Sequence, residues 1–410
     1  MFKAKGKSKK AKVLNCLFSL CALWWIFSAN VQAQIAVKGE TVWTMAGEPI
    51  ANGVVLVSAN GKIEAVGTVS SVKIPSNYRV VSAKVVTPGL IDAHTVVGLN
   101  GYLNQPHDQM ALDGSSPMQP ELRAIDAYNA EERLIEWVRE FGVTTLHTGH
   151  QPSALVSGQT MISKTFGKSV EETTLIPAAM IAVTLGDAAL AAQGKSPGTR
   201  AKQAAMLRAE LIKAASYGTK PDSPRDLKTE MWKKVLDRQI PLLVTAHRAQ
   251  DIMTALRIAK EFNIKIVLDG VSEAHVVLDE IKASGFPVII HPTMYRAGGE
   301  TENLSMETAS KLKSAKISFA LQSGYEGYVP KTRVILFEAA LAAANGLSKR
   351  DALAAITIDA AKILGLDSRI GSIEKGKDAD LAMYDGDPFE YVSHCVGTII
   401  NGKMVSEVIR

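Results

Sequence analysis

Apolar residues in the middle of this chain fall in short unbroken runs that alternate with stretches of helical spacing, whereas both ends read as brief strands closed by tight turns. Near the start, Val54-Val55-Leu56-Val57, Asn60-Gly61 and Lys62-Ile63-Glu64-Ala65-Val66 predict a hairpin, because Asn-Gly accepts the positive φ values of a type I′ turn. Near the end, Thr398-Ile399-Ile400, Asn401-Gly402 and Lys403-Met404-Val405 repeat that pattern after a strand at Asp380-Leu381-Ala382-Met383-Tyr384. Neither end has enough sheet for a core of its own, so the two are expected to pair.

Between the ends, strands are predicted at Val86 to Val96, Thr144 to His147, Ala178 to Val183, Pro241 to Val244, Lys265 to Leu268, Pro287 to Ile290 and Ile317 to Leu321. Helices are predicted at Glu131 to Phe141, Lys202 to Ala215, Ala249 to Phe262, Ala274 to Ser284, Thr332 to Asn345 and Lys349 to Leu364. Alternation of this kind is the pattern of a parallel βα fold. The count falls short of eight clean repeats, and the section from Gln193 to Arg238 reads as helix and loop with no strand.

Composition adds one qualification. With 410 residues, 47% hydrophobic and 21% charged, the chain suits one large barrel plus a smaller domain. Its net charge of +5 includes Lys3, Lys5, Lys7, Lys9, Lys10 and Lys12, which precede an apolar run from Val13 to Ala29 and a small-residue site, Val31-Gln32-Ala33. This is the pattern of an export signal over 1–33. Cleavage before Gln34 leaves the protein periplasmic or secreted with no stable membrane anchor; a retained anchor is the alternative. Removing six lysines from 46 basic residues leaves 40 against 41 acidic ones, so the charge gives no support for a nucleic-acid partner. Cys16 and Cys21 depart with the signal, and Cys395 then has no intrachain disulfide partner.

Polar residues recur where the central strands should end: Asp92 and His94, His147 and His150, His247, Asp269 and His291. Strand period two puts Asp92, His94 and Val96 on one side of the pleat, able to point into a barrel mouth. A group of neutral imidazoles there would bind a divalent ion and lower the pKa of its water. His147 and His150, three apart, face opposite ways on a regular strand, so both reach the mouth only if the second lies in the loop. His291 before Pro292 can equally be a satisfied loop residue, and Asp269 before Gly270 and Ser272 can cap a turn. Ser157-Gly158-Gln159-Thr160 and Gln322-Ser323-Gly324-Tyr325 carry groups suited to substrate hydrogen bonding, with ordinary turns as the alternative.

The run Pro88-Gly89-Leu90-Ile91-Asp92-Ala93-His94-Thr95-Val96 resembles the first-strand motif of the amidohydrolase superfamily, close to imidazolonepropionase-like members, and Gly371 to Leu381 resembles the family's re-entry segment. The resemblance implies a (β/α)8 TIM-like barrel over 88–370, irregular around its fourth strand, and a small β-sandwich built from 34–87 and 371–410. It also implies a divalent metal, zinc foremost, and hydrolysis of an amide, lactam or cyclic amide bond in a small-molecule substrate. His94, His147, His150, His247 and His291 are then the metal candidates, and Asp269, Gln322, Ser323 and Tyr325 the substrate-binding candidates. The family pattern is altered at four places. Val96 replaces the second histidine of the first strand, Thr245-Ala246-His247 keeps only the second histidine of a His-Ala-His pair, Asp269 stands at the sixth-strand histidine position, and Leu321-Gln322-Ser323-Gly324 ends the eighth strand without the family's aspartate, with Gly324 where a metal-binding group would stand. A barrel that only binds a small molecule or a partner protein is the competing reading, and a homo-oligomer is left open.

Overall fold

The computed structural model describes residues 34–218, 224–291, 297–326 and 331–410; the expected export signal lies outside the described residues. The chain opens with β1 (Ile35–Val42), β2 (Ile50–Val57), β3 (Ile63–Thr68) and β4 (Arg79–Pro88). β1 pairs antiparallel with β2 and parallel with β4, and β2 and β3 form the predicted hairpin. Its turn is not the two-residue type I′ expected. Only Gly61 has positive φ, +76°, and its N–H donates to the Ser58 carbonyl at 3.0 Å, which closes a longer loop.

The central strands are β5 (Leu90–Thr95), β6 (Val143–Thr148), β7 (Val156–Gln159), β8 (Met161–Lys164), β9 (Thr174–Ile176), β10 (Ile181–Thr184), β11 (Leu242–Ala246), β12 (Ile266–Gly270), β13 (Val288–Ile290) and β14 (Phe319–Ala320). β5 and β6 pair in parallel, as do β10 through β14 in succession. Between these groups, β7 and β8 are one extended stretch broken only at Thr160; β8 runs antiparallel to β6, and β7 antiparallel to β10. The result is a TIM-barrel-like α/β arrangement made of a six-stranded and a four-stranded sheet, not the continuous all-parallel ring expected. The sheets meet where Ala93 N–H donates to the Leu321 carbonyl at 3.3 Å beside a Thr95–Gly324 bridge, and where Thr160 exchanges backbone bonds with Met180 and Ala179 at 2.8 Å.

The irregularity therefore lies at the third position of the ring. β10 is the fourth strand, and the described residues of 193–238 hold the helices Arg200–Ala215 and Leu227–Leu236 without a strand. Val156 to Lys164 reads as turn and loop in sequence because of Ser157, Gly158, Gln159 and Thr160, yet all four residues are buried or nearly so.

Helices cross between the parallel strands, as right-handed βα connections require: Ala249–Phe262 joins β11 to β12, Leu278–Ser284 joins β12 to β13, and Thr308–Ser314 joins β13 to β14. The helix expected over Lys349 to Leu364 is two, Lys349–Ala355 and Ile358–Ile363. Strand N–H groups take the carbonyls at the break: Ile91 donates to Ile356 at 2.8 Å and Leu321 to Ala355 at 3.2 Å.

One apolar layer crosses the ring, with Ile91, Ile162, Leu243, Val267, Ile289 and Ala320 from six strands, floored by Ala360, Ala361 and Leu364 of the last helix. The chain then returns as β15 (Leu381–Tyr384), β16 (Cys395–Ile400) and β17 (Lys403–Ser406). Here Asn401 and Gly402 both have positive φ, 49° and 76°, in the two-residue turn between β16 and β17. β15 pairs with β4, so both chain ends build a single seven-stranded sheet, ordered β17-β16-β15-β4-β1-β2-β3, in place of the expected sandwich.

Candidate active site

Two residues beyond the apolar layer, period two places a polar layer: Thr245 follows Leu243, Asp269 follows Val267, His291 follows Ile289 and Gln322 follows Ala320. These positions stand at the carboxyl ends of β11, β12, β13 and β14, where active sites of such folds are assembled. All four residues are at most 3% exposed.

His94 joins this layer through a bulge. The pairing of β5 with β6 slips between Asp92 and Thr95, so the expected shared face of Asp92, His94 and Val96 does not form. His94 turns to Asp269, with Nδ1 3.1 Å from Oδ1, and its ring centroid lies 5.9 Å from that of His147 and 5.8 Å from that of Tyr325. Asp92 instead accepts from the Ser323 N–H at 2.9 Å, and Val96 packs into the main apolar cluster. Burial raises the Asp92 carboxyl to about 6, against the lowering pull of its bonds to Ser323.

Asp269 is the hub. Its Oδ1 also accepts from Gln322 Nε2 at 2.8 Å, and its Oδ2 from the Thr245 hydroxyl at 2.6 Å. Burial works to raise this carboxyl, but His94 beside it and the bonds from His94 and Thr245 hold it below its ordinary value, so it is ionised. Nε2 of His94 is buried with no hydrogen-bond partner among the described residues.

The other imidazoles are engaged or apart. His147 Nδ1 donates to the Ala93 carbonyl at 2.6 Å, which leaves Nε2 to accept from the Thr160 hydroxyl at 2.7 Å. Burial lowers His147 to about 3 and His247 to about 4, so both are neutral near pH 7. His247 has Nδ1 2.8 Å from Ser272 Oγ and Nε2 3.3 Å from Tyr325 Oη. The segment presenting Ser272 is strained, since Val271 is β-branched and has φ +44°. His291 stands in the polar layer near His247. His150 lies in the loop beyond β6, against Gly158, where a Cβ would come 2.4 Å from its ring. Among the described residues, His150 makes no hydrogen bond or ring contact with the other histidines. The Ser323 hydroxyl is engaged with Thr95 Oγ1 at 3.1 Å, and the Ser323 carbonyl accepts from Lys331 at 3.0 Å.

This donor set does not fit the divalent ion expected from sequence. A catalytic zinc site takes about three protein donors. Val96 has none, both nitrogens of His147 and of His247 are hydrogen-bonded, and both oxygens of Asp269 are engaged. Among the described residues, no three His, Cys, Asp or Glu side chains are grouped to hold a metal. Thr245, Thr160 and Ser272 also contribute; in sequence Thr245 reads only as a replaced histidine, Thr160 as a hydrogen-bonding or turn residue and Ser272 as part of a turn. Thr245 was legible as the residue two after Leu243, whereas Ser272 depends on the turn at Val271.

A family model described as "Amidohydrolase family" matches residues 326–406. The crystal structure of an amidohydrolase from Thermotoga maritima MSB8 superposes with a TM-score of 0.86 at 31% identity, covering 91% of this chain and 100% of that one. An imidazolonepropionase from Sphingopyxis alaskensis is 33% identical over 122 residues, 29% of this chain; the match spans 30% of that relative's length. An adenosine deaminase from Xanthomonas campestris with bound zinc shares the fold, with a TM-score of 0.54 at 15% identity over 91% of this chain and 92% of that one.

Proposed function

Because the chain belongs to the amidohydrolase superfamily, among its imidazolonepropionase-like members, we propose that it hydrolyses the carbon–nitrogen bond of a small amide, lactam or cyclic amide, with His94 as the base that activates water. One observation carries this reading: Nδ1 of His94 lies 3.1 Å from Oδ1 of the ionised Asp269, while its Nε2, at the carboxyl end of the strands, is buried with no hydrogen-bond partner among the described residues, the atom that a neutral Nδ1–H imidazole would offer as base. A base so oriented holds one tautomer and is steadied when it becomes cationic.

In the proposed reaction, the water oxygen forms a bond to the substrate carbonyl carbon as one of its protons passes to His94 Nε2, and the carbonyl π pair moves onto oxygen. Collapse restores the carbonyl and breaks the carbon–nitrogen bond, while the His94 imidazolium returns the proton to the departing nitrogen. Asp269 stays an anion throughout. The divalent ion typical of the superfamily has no step in this scheme.

The test is a screen of amides, lactams and cyclic imides with purified protein, scored by release of carboxylate or amine, beside His94→Gln. Turnover by the native chain that the variant lacks supports the reading; turnover by neither favours the barrel that only binds. The lysine-rich start followed by an apolar run supports export as part of the same reading, and recovery of the native protein from the cytosol at full length would count against it.

A further inference from the structure

Gln322 belongs to the segment Leu321-Gln322-Ser323-Gly324 that ends the eighth strand, and its amide is only half used. Asp269 accepts from three donors, His94 Nδ1–H, Gln322 Nε2–H and the Thr245 hydroxyl. A carboxylate surrounded by donors fixes the polarity of each neighbour. The proton of His94 is on Nδ1, and the amide nitrogen of Gln322 faces Asp269. The neutral form of that imidazole presents a lone pair on its far side at Nε2, as the amide of Gln322 does at Oε1.

Among the described residues neither atom has a hydrogen-bond partner, and both residues are 0% exposed. They belong to adjoining strands: the Ala93 N–H meets the Leu321 carbonyl, and Thr95 bridges Gly324. The outer hydroxyls of Thr95 and Ser323 bond each other, while His94 and Gln322 both reach the same oxygen of Asp269. Native interiors rarely leave buried acceptors dry; a bound water is the usual remedy at a polar site with two or more partners.

We propose that His94 Nε2 and Gln322 Oε1 bind one water between them, each taking one of its hydrogens, and that this water is the attacking nucleophile, which makes Gln322 a catalytic residue. The assignment rests on the hydrolase reading above for the water's role. Its chemistry follows from the amide. When His94 removes one proton, the other stays on the water oxygen, hydrogen-bonded to Gln322 Oε1, so the oxygen lone pairs point away from both acceptors toward the substrate carbon. A carboxamide cannot take that proton itself, so it holds the water without competing with His94. Two lone pairs match the two hydrogens of a water and fall short of the protein donors a catalytic zinc needs.

The test combines crystallography with kinetics on the full chain. Native crystals without substrate should show a water within about 3 Å of both atoms, and Gln322→Met should lose it. In that variant kcat should fall at least about tenfold with KM within about twofold, and Gln322→Glu should not restore the rate, because a carboxylate there opposes Asp269 and competes for the proton. An empty site, a water bonded to neither or only one of the two atoms, or an anomalous peak from a metal at that position overturns the proposal. The crystallographic result stands whatever the substrate screen returns. A native protein that holds the water but hydrolyses no amide supports the binding site and refutes the hydrolase reading alone.

Discussion

His94 and Asp269 lie 175 positions apart in the chain, yet meet at 3.1 Å with both side chains fully buried. The contact exists because a bulge in β5 turns His94 into the ring at the height where period two brings up Asp269 from β12. If this pair supplies the base, its geometry matters more than the charge of either member. Asp269→Asn keeps the shape but offers an amide where an acceptor is needed, so the imidazole can reverse its tautomer and place its proton on Nε2. The expected outcome is a fall in kcat of about 10²- to 10⁴-fold, the range of general-base contributions, with KM little changed. An equal rise in KM with kcat intact would show that the residue binds substrate only.

Chelation gives an independent check. Because His147 and His247 already have both ring nitrogens hydrogen-bonded, prolonged dialysis against a strong chelator should leave hydrolysis at its starting rate. Elemental analysis should find far less than one zinc, manganese, iron or nickel per chain. Activity that disappears on chelation and returns with stoichiometric metal would defeat the metal-free scheme.

Much of this architecture could be read before the coordinates, and the failures have specific causes. Seven parallel-paired strands were legible because each is a short apolar run ending in a polar residue at its carboxyl end. The joining of the two chain ends followed from their each lacking enough sheet. The third ring strand was not legible: Ser157, Gly158, Gln159 and Thr160 look like a turn, and their burial comes only from pairing with β6 and β10. His94 was singled out correctly as a strand-end residue, but its companions were set by pairing across the ring. Asp269 and Gln322 carry no local signal that they share an oxygen, and strict alternation misplaced Asp92 because a bulge has no fixed sequence mark.

Stability should fall on acidification before ordinary carboxylates titrate. His147 and His247, at about 3 and about 4 in the folded chain, stay neutral there while the unfolded chain takes up protons below about 6.5. Their contribution is full above that value and lost as pH drops toward 4. Asp92, raised to about 6, acts in the opposite sense, since the folded chain protonates it before the unfolded chain does. Between pH 6 and 4 two protons oppose one, a net slope near 1.4 kcal/mol per pH unit. Asp92→Asn should steepen the loss to about twice that in urea unfolding; an unchanged slope would show that Asp92 is not protonated on folding in this range.

The last prediction concerns what ties the third ring strand to the terminal sheet. Lys164, at the end of β8, is 2% exposed and bonds both Asp378, at 3.3 Å, and Asp380, just before β15. Asp378 also holds Lys62 at 2.6 Å and Arg369 at 2.7 Å, and Asp380 accepts from the Asn401 N–H at 2.9 Å. Replacing one member of a buried pair leaves the other charge uncompensated, at a cost of about 3–5 kcal/mol. Lys164→Met should fall toward the lower end, because Lys62 and Arg369 still face Asp378 while Asp380 keeps one backbone donor. Adding Asp380→Asn to that variant should recover part of the loss by removing the stranded charge. The cluster lies on the far side of the apolar layer from His94, so the double variant should keep its kcat once folded; a fall in kcat matching the loss of His94→Gln would show that the terminal sheet sets the geometry of the polar layer.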